Sequence, residues 1–147
     1  MFKIKIISVG SKPDKNLKEL IDSYSKKLSN QFDVDWINVK AEKKFDSTSQ
    51  KKEYEAKKIT AFIENSFVVA MDESGQLINS KEFTNKMIGW VQNYPCLTFI
   101  IGGADGMHQT LISKADFILS LSRMTFPHQL VKLFLSEQLY RCSAILN

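Results

Sequence analysis

The stretch LSLSRMTFPHQL, residues 119–130, holds more chemistry than a turn requires. It begins as the end of an apolar strand and finishes as the start of an apolar helix. Between them lie Ser122, Arg123, Thr125, Pro127 and His128. Pro127 suits a first helical turn, where its missing N–H costs nothing, and Thr125 suits the N-cap. Those assignments leave Arg123 and the Met124/Phe126 pair without a reason. An imidazole at His128 can serve as a base or stand idle in an exposed first turn. Arginine occurs only at Arg123 and Arg141 in this chain. A sequence that otherwise uses Lys, yet keeps Arg at two places, points to a need there for the planar guanidinium fork.

Other chemistry-bearing groups narrow the choice. The glycines of IGGADG stand at 102, 103 and 106. That spacing is neither the dinucleotide fingerprint nor a phosphate-binding loop with its following Gly-Lys-Ser/Thr. Glycine at such a place lets backbone approach a ligand, or simply permits positive φ. Asp72 and Glu73 are neighbouring carboxylates, but acids are common in a turn at a strand end. With two His, no Ser-His-Asp or Cys-His set can be assembled, which disfavours a hydrolase. Cys96 and Cys142 are far apart inside apolar segments and read as small buried hydrophobes in a reducing, cytoplasmic compartment. No close Cys/His spacing suggests a metal.

The elements that must position these residues alternate strand and helix. KIKIISVG (3–10) reads as a strand ending in a Gly turn. A helix capped by Asp14 runs to about Ser29, with Leu17, Leu20, Ile21, Tyr24 and Leu28 on one face. FDVDWINV (32–39) alternates like a strand with one wet face. KAEKKFDSTSQ (40–50) reads as a charged loop, and Ser49 as the cap of a helix running towards Glu64. FVVAMD (67–72), CLTFIIGG (96–103) and ADFILSLS (115–122) are apolar runs typical of strands buried on both faces. ESGQ turns the chain between the first of these and a helix from Ser80 to about Val91. Residues 127–146 form the last helix. This order predicts an α/β fold with a mostly parallel sheet. Ligands in such folds sit beyond the carboxyl ends of the strands, here AMDESG, IGGADG and SLSRMTF.

At 147 residues, 44% of them apolar and 24% charged, the chain has the size and composition of one soluble domain. Its apolar runs of six to eight residues are far short of the roughly 20 that span a membrane. The net charge of +4 is uneven, +5 over residues 1–60 and −1 over the rest. A basic N-terminal half suits phosphate contact nearly as well as a solvated Lys face.

FIIGGADGM followed by FILSLSRMTFPHQLVKLFLSEQLYR resembles the bacterial family of large-subunit rRNA pseudouridine N3-methyltransferases, small enzymes of the SPOUT class. KIKIISVGS and VVAMDESGQ extend the resemblance over nearly the whole chain. It implies one SPOUT domain over 1–147, a parallel sheet flanked by helices with a C-terminal trefoil knot, and a cytoplasmic homodimer. The implied donor is S-adenosylmethionine (SAM), with no metal and no membrane. The acceptor is N3 of a pseudouridine in 23S rRNA on the assembled ribosome. Carried over by position, the SAM site falls on Met71, Gly102, Leu121, Ser122, Arg123, Met124, Thr125 and Phe126. Arg141 is the first candidate to stabilise the nucleophilic anion or hold phosphate, and His128 the second, as base or RNA contact. Family members continue with a tail of the Asn-His-Pro-Tyr-His type, whose His and Tyr help build the active site. This sequence ends at Asn147. SAM binding is therefore the firmer expectation. The alternative is a non-catalytic, ribosome-associated RNA-binding module that keeps the fold.

Overall fold

The computed structural model describes residues 1–10, 12–28, 30–41, 45–103 and 105–146. Ser29 at the expected end of the first helix, part of the 40–50 loop, and Ala104 in GGADG lie outside the described residues. The chain order is β1 (Phe2–Val9), α1 (Lys15–Leu28), β2 (Phe32–Val39), α2 (Thr48–Thr60), β3 (Phe67–Leu77), α3 (Ser80–Asn93), β4 (Cys96–Ile101), α4 (Gln109–Lys114), β5 (Phe117–Ser120) and α5 (His128–Leu146). The five strands form one sheet in the order β2-β1-β4-β3-β5, and every pair is parallel.

The strand periodicity explains the two-sided core. Ile4, Ile6, Val69, Met71, Leu97, Phe99 and Ile101 project to one face, where Leu28, Phe83, Met87, Leu135 and Leu139 of α1, α3 and α5 cover them. The alternate residues Ile7, Val9, Val68, Ala70 and Ile100 meet Ala56 and Ile59 of α2 and Leu111 of α4. Burial on both faces is why β3 and β4 read as unbroken apolar runs, whereas edge strand β2 alternates, with Asp33 and Asp35 outward. β5, expected to be buried in the same way, is the other edge strand, with Phe117 and Ile118 half-buried. A fully buried ring such as Phe99 contributes about 3–5 kcal/mol against truncation to Ala.

Local chemistry sets the helix ends. Asp14 accepts the Leu17 amide at 2.9 Å, the expected cap. α2 is capped by Ser47 through the Gln50 amide rather than by Ser49, and ends at Thr60, short of Glu64. α3 opens at Ser80 under a capping box of Asn79 and Glu82 and continues to Asn93. α5 has no Thr125 cap. The Pro127 carbonyl accepts the Leu130 and Val131 amides, while the Thr125 hydroxyl is drawn away to a carboxylate. Both cysteines are free thiols; Cys142 is buried against Thr84, and burial pushes its pKa up.

The sharpest departure from expectation is ESGQ, which is not a simple turn. β3 continues through it to Leu77, but with a break in register: Met71 and Gln76 both stand opposite Leu119 of β5. At the other end of this pairing, the Val68 amide donates to the Asp116 carboxylate and the Asp116 amide to the Val68 carbonyl, each at 2.8 Å. The ladder is thus fixed at its start, and the slack of residues 72–75 is forced out at the carboxyl end. Gly75 sits at the base of this excursion, where a Cβ would lie 2.5 Å from the Ile118 carbonyl oxygen. Because the obstacle is backbone of a paired strand, it cannot step aside. Gly75→Ala is expected to lower the melting temperature by about 3–10 °C in a circular-dichroism melt, the range for overpacking in a domain this size. An unchanged melt would show that the two strands do not approach so closely.

Candidate functional site

A cavity of about 760 Å³ opens beyond the carboxyl ends of β3, β4 and β5. Each strand contributes one wall. β3 brings buried Met71, then Asp72 and Glu73 of the excursion. β4 brings Ile101 and the glycine turn to Met107. β5 brings Leu119 and the loop into α5, and Lys52 of α2 stands at the side. The placement follows from topology, because all strand carboxyl ends of a parallel sheet point the same way.

The glycines have separate reasons. The turn closes on itself through the Gly106 amide and the Gly103 carbonyl at 3.0 Å. Gly106 has φ of +82°, and a Cβ there would meet nothing, so its need is conformational. At Gly102 a Cβ would meet the Gly106 backbone and Met107 at 3.0 Å. Gly102 lines the cavity, yet the packing of its own turn already demands glycine.

The loop after β5 is held by its polar side chains. Ser120 Oγ donates to the Ser122 carbonyl, and Ser122 Oγ accepts the Met124 amide, both at 2.9 Å. Thr125 Oγ1 donates to Glu73 Oε2 at 2.9 Å, and the Arg123 guanidinium donates to the Glu73 carbonyl. Met124 is 72% exposed, and Phe126 packs edge-on against Phe134. The polar residues that made 119–130 conspicuous therefore shape one wall of the cavity.

Met71, Gly102, Leu121, Ser122, Met124, Thr125, Phe126 and His128 line this one cavity. Arg123 does not: its side chain spans the outside of the wall to the excursion. Arg141 is also apart. It is exposed, pairs with Glu137 one turn back at 2.6 Å, and lies thirteen residues beyond His128. At the rise of an α-helix that is about 20 Å along α5. Reasoning from sequence set Asp72 and Glu73 aside as turn acids. Asp72 does play that part, accepting the Ser74 amide at 3.0 Å, but Glu73 reaches across the cavity mouth. Asp105 was not singled out although it lies in IGGADG, one of the expected ligand-edge segments. Lys52 was missed because nothing local in sequence marks a residue brought in by a neighbouring helix.

Three carboxylates, Asp72, Glu73 and Asp105, against the single ammonium of Lys52 give the lining an acidic balance. Glu55 of α2 has its pKa raised by burial and then by the negative charge of Asp105, with Lys51 and Lys52 opposing the rise. Apolar surface comes from Met71, Ile101, Leu119, Leu121, Met124 and Phe126. Such a lining favours a ligand with apolar faces and positive charge. Among the described residues, no group of three or more His, Cys, Asp or Glu could hold a metal.

His128 lies at the junction of cavity and core. Gly10, with φ of +118°, ends β1 beneath its ring, and a Cβ there would be 2.9 Å from Nε2. Gln129 Nε2 stands 3.0 Å from His128 Nε2, so the Gln129 amide and the imidazole are hydrogen-bonding neighbours, with the direction set by the ring tautomer. Burial, and then the Lys132 ammonium, push the His128 pKa down. Lys132 is 5% exposed, and burial lowers its own pKa. Among the described residues no carboxylate forms a salt bridge with it.

The family model described as "Predicted SPOUT methyltransferase" matches residues 2–147. A curated relative from Clostridium botulinum, "Ribosomal RNA large subunit methyltransferase H", is 43% identical over 150 aligned positions, covering 97% of this chain and 94% of the relative. A probable methylase family protein from Haemophilus influenzae superposes with a TM-score of 0.60 at 11% identity, over 98% of this chain and 67% of its own. The SpoU methyltransferase AviRb from Streptomyces viridochromogenes, solved with the cofactor AdoMet, gives 0.50 at 12% identity, over 93% and 56%. These two likenesses concern the fold.

A depressed His128 pKa has a definite sign in stability. Below pH 6.5 the unfolded chain takes up a proton that the folded chain resists. The contribution of this site is whole above that pH and is lost as pH falls through the lower folded value. We expect the His128 NMR titration midpoint to lie below 6.5 and to move up in Lys132→Met. A midpoint that ignores the substitution would refute the electrostatic link between them.

Proposed function

Because this chain belongs to the SPOUT methyltransferase family, we propose that it methylates N3 of a pseudouridine in 23S rRNA on the assembled ribosome, with SAM as donor. The observation that carries this reading is the cavity at the carboxyl ends of β3, β4 and β5, with apolar walls and an acidic lining. SAM is an amphipathic nucleoside with a positive sulfonium, and those walls fit its rings and its charge. The relative's name supports a large-subunit rRNA acceptor, and the solved AdoMet complex supports the donor. Cytoplasmic action agrees with the ribosomal substrate. Among the described residues no helix is long and apolar enough to cross a membrane.

When bound, SAM supplies a methyl group on a sulfonium, which leaves as a neutral thioether. The protein has to align the acceptor nitrogen, strip its proton and keep water out. Leu121, Met124 and Phe126 supply the apolar cover, and Met71 forms the floor. A neutral imidazole at His128 is fit to take the N3 proton, with the Gln129 amide beside its Nε2 to orient the ring. Lys132 discourages imidazolium, so the base is in its working form at neutral pH.

Arg141, about 20 Å from His128 along α5, is assigned to a site completed across a homodimer, where its fork holds phosphate or the anionic base. A second groove of about 660 Å³ supports the dimer. It runs between α1, α3 and α5, lined by Leu20, Tyr24, Phe83, Leu133 and Phe134, and shares Leu119, Leu121 and Phe126 with the cavity. Phe134 is 38% and Leu20 50% exposed there, an apolar face that a second copy would cover. The C-terminal trefoil knot belongs to the same reading. Lysines of the N-terminal half supply salt-sensitive affinity for RNA phosphates.

Radiolabelled SAM offered with ribosomes lacking the modification is expected to label 23S rRNA, at N3 of one pseudouridine by mass spectrometry. Separate subunits and free rRNA are expected to stay unlabelled. SAM binding without transfer would instead favour the non-catalytic ribosome-associated module. For the dimer, light scattering should give twice the chain mass, and Phe134→Glu should halve it; a monomeric wild type at micromolar concentration would sink the shared site.

A further inference from the structure

We propose that Glu73 is a positioning residue: by accepting the Thr125 hydroxyl it latches the β3 excursion to the loop after β5, and this latch sets the affinity of the cavity for SAM. The inference rests on the SAM reading above. Its basis is the way the two walls meet. Residues 72–75 are expelled from the ladder because Met71 and Gln76 share Leu119 as partner. The base of the excursion is pinned where Gly75 presses on Ile118. Its tip is held by two side chains from the opposite wall, Thr125 Oγ1 on Glu73 Oε2 and the Arg123 guanidinium on the Glu73 carbonyl. Glu73 and Thr125 both line the cavity, so these bonds fix the distance between its walls.

The latch is built for binding rather than for folding. Glu73, Arg123 and Thr125 are all exposed, so breaking their bonds strips nothing from the core. The loop that carries Thr125 has its own shape fixed by Ser122 and Ser120, so it moves as a unit once the tie to Glu73 is gone. A wall that is held in place before the ligand arrives spares the ligand the cost of ordering it. This also accounts for Arg123, whose planar fork braces the outside of the wall instead of facing the ligand.

Glu73 has a competing role, as a plain negative charge attracting the sulfonium, and the two roles separate by chemistry. Thr125→Val keeps the charge and removes the donor. Glu73→Gln keeps an acceptor for Thr125 and removes the charge. S-adenosylhomocysteine keeps the shape of SAM but has a neutral thioether. Dissociation constants for both ligands, by titration calorimetry on the full chain, give the readout, with thermal melts as a check on folding. The latch predicts that Thr125→Val and Glu73→Ala each weaken both ligands by about tenfold, the loss of one charge-assisted hydrogen bond. It predicts that the double variant is no weaker than either single one, and that Thr125→Ser and Glu73→Gln recover most of the affinity. A Glu73→Gln as weak as Glu73→Ala, with SAM alone affected and Thr125→Val harmless, would overturn the latch in favour of charge. A wild-type chain that binds neither ligand would overturn the SAM reading and the latch with it. Wild-type binding that Thr125→Val leaves intact would overturn the latch alone.

Discussion

The pairing of β3 with β5 is the constraint on which the site depends. A parallel ladder keeps strict register unless residues are expelled, and here four of them are, between Met71 and Gln76. The reciprocal bonds of Val68 and Asp116 fix one end, so the mismatch emerges only at the carboxyl end. That is where a parallel sheet presents its ligand edge. A continuous β3 would leave Asp72 and Glu73 in the ladder beside β5. Expelled, they form a wall opposite the loop of Ser122 to Phe126, and the space between becomes a cavity.

Charge is distributed to match. The N-terminal half is rich in lysine, yet the lining gathers Asp72, Glu73 and Asp105 with one lysine. The proposed reading, with a cationic donor and a polyanionic acceptor, needs opposite fields within a short distance of each other. A lining of three acids and one lysine, with the other lysines outside it, suits that need, since solvent screens the outer charges from the inner ones. The two arginines lie outside the lining, one bracing a wall and the other far along α5.

His128 illustrates how backbone and side chain are fitted together. Its ring rests on Gly10, where both the positive φ and the missing Cβ are required. Lys132, one turn on, is buried without a carboxylate salt bridge among the described residues and opposes a second positive charge nearby. Such an ammonium is costly to the fold, and under the proposed function it would keep the neighbouring imidazole neutral.

Much of this was legible in the residues themselves. Two of the three unbroken apolar runs, β3 and β4, are strands buried on both faces, while the third, β5, is an edge strand with Phe117 and Ile118 half-buried. The parallel α/β architecture still follows from the alternation of strand and helix. The position of the ligand edge follows from the architecture, and eight of the ten singled-out site residues line one cavity there. Helix α4 had no assigned residues because six residues are too few to show a helical period. The reading of ESGQ as a turn failed because local propensity carries no information about which partner strand will be met, or in what register. The roles of Glu73 and Arg123 were hidden for the same reason, since their partners lie about 50 residues away. Sequence alone determined most of the elements, their order and the family, because these rest on side-chain periodicity and short contiguous motifs. Tertiary structure decided which carboxylate crosses the cavity mouth and which arginine stands outside it, because hydrogen bonds between distant segments exist only once strand pairing has brought their ends together.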